Sequence, residues 1–407
     1  MANPDVYEDG RDRGPELDGV SHVTDSLSLG LLPEGLRDVL PPQAEAEARL
    51  LRMLLDHLAG SGYERVGTPL VEFEETLIRG FGAARASDLF RLTDPVSQRP
   101  LAVRSDVTGQ IARVAATRLA HYARPLRLSY AGPVLRIKGS QLRADRQFMQ
   151  AGAELIGSDS PEAVAEIAGL ALSGLLGLGL DAVNIDFVLP DLIPGIGAAL
   201  GLEPVAVAAA SEALDAKDAA AVAALPHAEV WRGLLEATGD LANAEAVIAR
   251  TPGMPDIARE RLAVLAKLVQ ELPQDAKLGV TVDPGETRGF AYQTWIGFSL
   301  FAKGIRGEVG RGGAYVIRKP APGEDGAAGE EPAVGFSLYL DGLVEAGQGV
   351  EVMPRLYLAY GTSAKDVARL REEGWAVVRA LEEGDTPAEA RAQRCSHYWD
   401  GRKIQMV

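Results

Sequence analysis

Gln147-Phe148-Met149-Gln150-Ala151-Gly152-Ala153-Glu154-Leu155-Ile156 is the stretch on which the reading of this 407-residue chain turns. A strand period of two puts Phe148, Gln150, Gly152 and Glu154 on one face, and Met149, Ala151, Ala153 and Leu155 on the other. By itself the segment reads as a half-exposed strand with its polar face in water. A second reading starts from Gly152. A missing side chain between Gln150 and Glu154 opens room for a ligand to lie flat on the sheet, its ammonium group gripped by the amide and the carboxylate. Both readings stand at this level.

Outward from that strand, Leu126–Tyr130 and Val134–Ile137 read as two strands, joined to it by a polar loop over 138–145. Downstream, Ser158-Asp159-Ser160 followed by Pro161 marks a helix start, and that helix is expected to run to about Leu178. Val183–Leu189 reads as a strand. Upstream, apolar residues at helical spacing predict a helix over Gln43–Gly60, ended by Gly60-Ser61-Gly62. Strands are expected over Tyr63–Pro69, Val71–Phe73, Leu89–Thr93 and Pro100–Arg104. A helix is expected from about Asp106 to His121, with Ser105 or Asp106 as its cap. From Leu192 to Glu271 alanine, leucine and glutamate dominate, which predicts a helical insertion over about 192–272. Strands return at Lys277–Val282, Arg288–Phe301 and Ala333–Leu340, and a helix begins near Asp341. The 320–332 segment, rich in Pro, Gly, Ala and Glu, reads as a mobile loop. The tail alternates strand-helix-strand-helix-strand, a small α/β unit over 354–407. Residues 1–30, polar and poor in aromatics, read as a disordered tail. The organisation expected is thus that tail, a core over 31–353 and the small C-terminal domain.

Composition narrows the function. Hydrophobic residues make up 47% and charged residues 24%, as in ordinary globular proteins. No apolar run reaches about 18 residues and no secretory pattern opens the chain, so a cytoplasmic protein without a membrane span is expected. Lys plus Arg is 41 against 57 Asp plus Glu, a net −16. That balance argues against a nucleic-acid ligand, because tracking phosphates takes a basic surface. The lone Cys395 and five unclustered histidines give neither a disulfide nor a metal site. Gly195-Ile196-Gly197-Ala198-Ala199-Leu200-Gly201 follows a strand but misses the dinucleotide spacing by one residue, and Pro190 and Pro194 interrupt the turn it needs. Gly310-Arg311-Gly312-Gly313 is weaker still as a phosphate loop. An amino-acid ligand would need a cation for its carboxylate besides acids for its ammonium. Arg288, after the turn Asp283-Pro284-Gly285, is available for that, and Asp106 and Thr108 at a helix start add polar contacts.

The order of these segments from Gly35 to Ala346 resembles the catalytic core of class II histidyl-tRNA synthetases. Gly67-Thr68-Pro69-Leu70 is similar to the first motif, whose proline lies at a dimer interface. Leu101–Ala112 resembles the segment that holds the amino acid, with Asp106 in place of a glutamate and Thr108 kept. Gly132-Pro133-Val134-Leu135-Arg136 resembles the start of motif 2, and Arg146–Glu154 its return strand. Arg288-Gly289-Phe290-Ala291-Tyr292 is similar to the histidine-specific R-G-L-D-Y motif, and Gly312-Gly313-Ala314-Tyr315 to G-G-R-Y. The resemblance implies an α+β fold: an antiparallel sheet flanked by helices, carrying the helical insertion and the small C-terminal unit. It also implies a histidine site of Asp106, Thr108, Arg136, Gln150, Glu154, Arg288, Tyr292 and Tyr315, with Gln150 and Glu154 on the amino group. Gln293 stands where the synthetases tend to have a second tyrosine.

The departures are as informative. Lys138 and Gly139 replace a carboxylate and an arginine of the motif 2 loop, and Gly342 takes the place of the motif 3 arginine that holds ATP phosphates. Nucleotidyl transfer depends on such cations, and losing one costs about 3–4 kcal/mol by analogy with removing a single preorganised donor. The tail is shorter than that family's anticodon-binding domain. A core with its amino-acid side partly kept and its ATP side broken resembles the non-catalytic regulatory subunits that pair with short-form ATP phosphoribosyltransferase. Membership there implies no catalytic residue, cofactor or metal. It implies activation of the short catalytic subunit, histidine feedback on the first step of histidine biosynthesis, self-association as a dimer within a hetero-octamer, and no tRNA. The alternative is an active adenylating paralogue that uses histidine and ATP. Under the first reading, loss of Glu154 or Arg288 is expected to weaken histidine inhibition.

Overall fold

The computed structural model describes residues 30–81, 89–139, 145–290, 292–318, 329–351 and 353–407. The expected disordered tail, apart from Gly30, lies outside them, as do 140–144 of the expected polar loop and most of the expected mobile loop at 320–332.

Among the described residues the first elements are α1 (Gln43–Gly60), β1 (Glu64–Arg65), β2 (Val71–Phe73), α2 (Glu74–Phe81), β3 (Phe90–Thr93), β4 (Pro100–Val103) and α3 (Thr108–Thr117). Next come β5 (Leu126–Leu135), β6 (Gln147–Ile156), α4 (Pro161–Gly177) and β7 (Val183–Val188). The alanine-rich region folds as α5 (Leu192–Ala199), α6 (Pro204–Asp215), α7 (Ala219–Ala223), α8 (Ala228–Glu236), the two-residue β8 (Gly239–Asp240), α9 (Leu241–Arg250) and α10 (Asp256–Gln270). Then follow β9 (Leu278–Asp283), β10 (Gln293–Ala302), β11 (Glu308–Arg318), β12 (Glu330–Tyr339) and α11 (Asp341–Glu345). The tail holds β13 (Arg355–Leu358), α12 (Ala364–Glu372), β14 (Ala376–Arg379), α13 (Thr386–Ala392), β15 (His397–Trp399) and β16 (Ile404–Met406).

Among the described residues, nine strands form the main sheet in the order β1-β5-β6-β12-β11-β10-β7-β9-β8. From β5 to β7 every neighbouring pair is antiparallel, and only β1–β5 and β7–β9 are parallel. The class II synthetase-like α+β architecture is therefore present. One face is closed by α1 and α4. Leu50, Leu54 and Leu58 of α1 and Val164, Ile167, Ala171 and Leu175 of α4 join Ala151, Ala153 and Leu155 of β6 in one core, with Val334, Phe336 and Leu338 of β12. β6 thus sends its odd-numbered residues into that core and its even-numbered ones to the opposite face, as the period of two requires. α4 begins on Ser160, whose hydroxyl accepts from the Ala163 N–H, with Pro161 in its first turn. A separate four-stranded sheet, β14-β13-β15-β16, carries its own apolar cluster around Leu356, Leu358, Leu370 and Trp399.

One expectation changes, and two motifs already discounted prove to be structural. The two strands predicted on either side of Gly132-Pro133 are one, β5, because Pro133 lies beyond the reach of β1. Its missing N–H costs no ladder bond there, and its carbonyl accepts from Arg104 Nε at 2.8 Å. The glycine-rich 310–313 run is not a phosphate loop but the middle of β11. A Cβ at Gly312 would stand 2.3 Å from the Phe298 ring and 2.5 Å from the Gly335 carbonyl, so only glycine lets these strands close up. Gly195 and Gly197 sit within α5, against Ile257 and Val207, as packing contacts between helices of the insertion.

Candidate functional site

The site is built on the even-numbered face of β6 and its neighbours. Strand pairing sets Glu154 opposite Gly335 of β12, Gly335 opposite Gly313 of β11, and Gly313 opposite Gly297 of β10. Three successive glycines thus leave a bare floor beside Glu154. Two side chains lie on that floor. A Cβ at Gly335 would fall 1.7 Å from Glu154 Oε2, and one at Gly297 would fall 1.8 Å from Gln293 Oε1.

Around them closes a small cavity of about 220 Å³ gross space, of which only about 10 Å³ admits the centre of a water. Thr108, Glu154, Tyr292, Gln293, Arg311 and Tyr315 contribute to its wall. That is space for roughly one water, so a ligand the size of an amino acid enters only if the wall moves. Tyr292, 40% exposed, stands at the outer side.

Glu154 is 1% exposed. Its Oε2 accepts from the Tyr315 hydroxyl at 2.8 Å. Its Oε1 has no hydrogen-bond partner among the described residues. Burial pushes the carboxyl up to about 8, opposed chiefly by the Tyr315 hydroxyl and reinforced by the charge of Asp106. The Thr108 and Tyr130 hydroxyls moderate the shift from nearby without completing a bond to Oε1. The same burial holds the Tyr315 hydroxyl well above its ordinary range, so it donates as a neutral phenol. Gln293 Nε2 donates to the Gly312 carbonyl at 2.5 Å, while its Oε1 is a second buried acceptor without a partner among the described residues. Such groups are rare in folded proteins, and two in one cavity point to a donor-bearing ligand.

The eight residues expected at the site divide. Thr108, Glu154, Tyr292 and Tyr315 come together in the cavity. Gln150 lies beside them, but both ends of its amide are engaged. Its Oε1 accepts from the Val107 N–H at 3.0 Å, and its Nε2 donates to Ser337 Oγ at 2.7 Å. It pins the start of α3 to the sheet. Asp106 is buried behind Thr108 and accepts from the Thr108 N–H at 2.8 Å. The helix itself is capped by neither Ser105 nor Asp106, because it starts two residues later, after Val107.

Arg136 and Arg288 are not brought to the cavity. The Arg136 guanidinium stacks 4.7 Å from the centre of the Phe148 ring, farther along the same face. Arg288, its side chain 67% exposed, donates to the Asp215 carbonyl at the end of α6 and pairs loosely with Glu286 at 4.0 Å. Two hydrogen bonds of 2.6 Å from Thr287 to the Asp215 carboxylate turn this loop toward the helical insertion. Nor does Gly152 leave room for a ligand. The Tyr130 ring lies over it, the hydroxyl 2.7 Å from where a Cβ would be, and that hydroxyl shares a 2.8 Å hydrogen bond with Ser337 Oγ. The bare patch is one row over, on Gly335 and Gly313.

Arg311 was missed. It lines the cavity and makes a bidentate pair with Glu308, 2.7 Å on both sides. Residues three apart in a regular strand face opposite ways. Here Phe301 pairs with Glu308 and the adjacent Leu300 with Gly310, so Val309 is an extra residue. This bulge brings Glu308 round to the face of Arg311. Among the described residues no His, Cys, Asp and Glu side chains gather as a metal-binding group, and no helix is long and apolar enough to cross a membrane.

The histidyl-tRNA synthetase family model matches residues 35–343. An ATP phosphoribosyltransferase regulatory subunit of Rhodospirillum centenum is 47% identical over 94% of this chain and 97% of its own length. One from Paramagnetospirillum magneticum is 43% identical over 92% and 97%. The chain belongs to the ATP phosphoribosyltransferase regulatory subunit family. A solved structure described as an ATP phosphoribosyltransferase regulatory subunit/histidyl-tRNA synthetase, from Bacillus halodurans C, superposes with a TM-score of 0.73. It covers 90% of this chain and 96% of that one at 24% identity, a likeness of fold. Gly342, which the sequence resemblance sets in place of the motif 3 arginine, lies within α11.

Proposed function

We propose that this chain is the non-catalytic subunit that activates a short-form ATP phosphoribosyltransferase catalytic chain. In the same reading, histidine bound in the Glu154 cavity lowers the activity of the assembled enzyme. The observation that carries the ligand is the buried Oε1 of Glu154 without a donor. A buried carboxylate in that state is costly unless a cation meets it, and an α-ammonium supplies both charge and hydrogen bonds. Gln293 Oε1, on the far side of the glycine floor, offers an acceptor for an imidazole N–H. Glu154 reaches over Gly335, and the Gln293 amide lies between Gly313 and Gly297 on the next two strands, so the acceptors stand within roughly 10 Å of each other. Histidine with a hydrogen bond at each end spans about that distance.

The absence of catalysis is supported by the cation inventory. Arg311 is the one cation in the cavity wall among the described residues, and Glu308 already neutralises it. A polyphosphate in transfer needs several unneutralised cations. The net −16 supports a protein that does not carry tRNA. A dimer of this chain within a hetero-octamer, in the cytoplasm, completes the proposal.

The test is the phosphoribosyltransferase rate of the short catalytic chain from the same genome, alone and with this protein. Strong activation, with no histidine-dependent ATP–pyrophosphate exchange by this protein itself, is expected. No activation and no complex on a sizing column, or clear exchange, contradicts the proposal.

A further inference from the structure

We infer that Arg311, and not Arg288, reads the carboxylate of the ligand. The inference rests on the proposal that an α-amino acid occupies the Glu154 cavity, and it concerns the group that distinguishes that acid from a plain amine. A zwitterion must meet an acid and a base in one space, and this cavity has both. Glu154 and Arg311 line the same wall. The Glu154 carboxylate lies over β12, at Gly335. Arg311 rises from β11, the next strand, two residues from Gly313 and so one position along the same face. One strand spacing and two residues of rise separate those points by roughly 8 Å. An ammonium on one group and the adjoining carboxylate on the other bridge such a gap with two hydrogen bonds of about 2.8 Å.

Arg311 also has the donors. Of its five N–H groups, Nε and one on Nη2 go to Glu308, and one on Nη1 reaches the Gly289 carbonyl at 3.3 Å. Among the described residues, one remains without an acceptor on each terminal nitrogen. Glu308 therefore holds the guanidinium by one edge and fixes its plane, while the other end stays able to donate to a second carboxylate. The ring of Phe290, 5.2 Å from the guanidinium carbon, covers it from the loop side. Arg288, two-thirds exposed and tied to the end of α6, has none of these features.

Calorimetric titration of the full-length protein with histidine and with histamine, which lacks the carboxylate, tests the assignment. The unaltered protein is expected to bind histidine at least tenfold more tightly than histamine. Arg311→Gln is expected to weaken histidine by tenfold or more and leave histamine nearly unchanged, so that the ratio collapses. The Glu308→Gln/Arg311→Gln double variant, which leaves no Glu308 carboxylate without its guanidinium, guards against a folding defect and is expected to behave alike. Arg288→Gln is expected to keep the ratio. Preference for histidine that survives in both Arg311 variants, or is lost in Arg288→Gln, overturns the assignment alone. Failure of the unaltered protein to bind histidine overturns the ligand proposal, and the assignment with it.

Discussion

Glu154 gives the account its most specific chemistry. Its carboxyl, held near 8 by burial, keeps a proton that the unfolded chain loses near 4.5. The folded state therefore binds more protons between those values, and stability falls as pH rises through that window, flattening above about 8. The loss is on the order of a few kcal/mol. Glu154→Gln is expected to remove that part of the slope, seen as a smaller shift in urea midpoint between pH 5 and pH 9 than in the unaltered protein. Equal shifts would mean that the carboxyl is not buried as described. The same protonation bears on binding. Pairing with an ammonium requires the carboxylate, so histidine uptake at pH 7.5 is expected to release a proton. Titrations in phosphate and in Tris should then give different heats, and Glu154→Gln should abolish the difference. Identical heats in both buffers would contradict ammonium pairing at this group. Much at this scale was legible from residue alternation and resemblance: Thr108, Glu154, Tyr292 and Tyr315 share one cavity. Arg311 was not, because the glycines around it hide β11 as a strand, and without the strand its face is undefined. Gln150 sits where expected, yet its amide is spent on α3 and Ser337.

Among the elements, the sheet owes its site to glycine. Gly335, Gly313 and Gly297 make the floor on which Glu154 and Gln293 lie. A Cβ at Gly335 would meet Glu154 Oε2 at 1.7 Å and Cδ at 2.4 Å. Gly335→Ala is expected to push the carboxylate off the floor, cost about 1–3 kcal/mol as overpacking does, and weaken histidine tenfold or more. Thermal melts and titration check this, and unimpaired binding would show that the floor is not part of the site. Helices with a clear apolar period and a defined start were readable: α1 spans the predicted residues, and α4 starts on the predicted Ser160 and Pro161. β11 was missed as a strand. Its Gly310, Gly312 and Gly313 lower strand propensity locally, and the reason for them lies in β10 and β12, remote in sequence. The loop carrying Arg288 was placed wrongly for a related reason, since its anchor, Asp215, belongs to the insertion.

For the molecule as a whole, one sheet divides two tasks. The face under α1 and α4 is apolar and holds the structure together. The other bears a narrow, partly open cavity with two acceptors that have no partner among the described residues, one acid and one paired base. With only about 10 Å³ open to a water, ligand entry requires the wall to shift. The outer side of that wall is Tyr292, at the end of the loop that Thr287 and Arg288 fasten to the helical insertion. A ligand favouring the opened wall would shift the population between two states, which is how the proposed non-catalytic subunit would carry a signal to its partner.

The most direct measurement is histidine inhibition of phosphoribosyltransferase activity in the complex reconstituted with the unaltered chain and with its Glu154→Gln variant. Equal activation by both is expected at zero histidine, with the variant's half-inhibitory histidine concentration raised tenfold or more. Coincident inhibition curves, with the variant folded and assembled, would place the feedback site elsewhere and contradict the central claim.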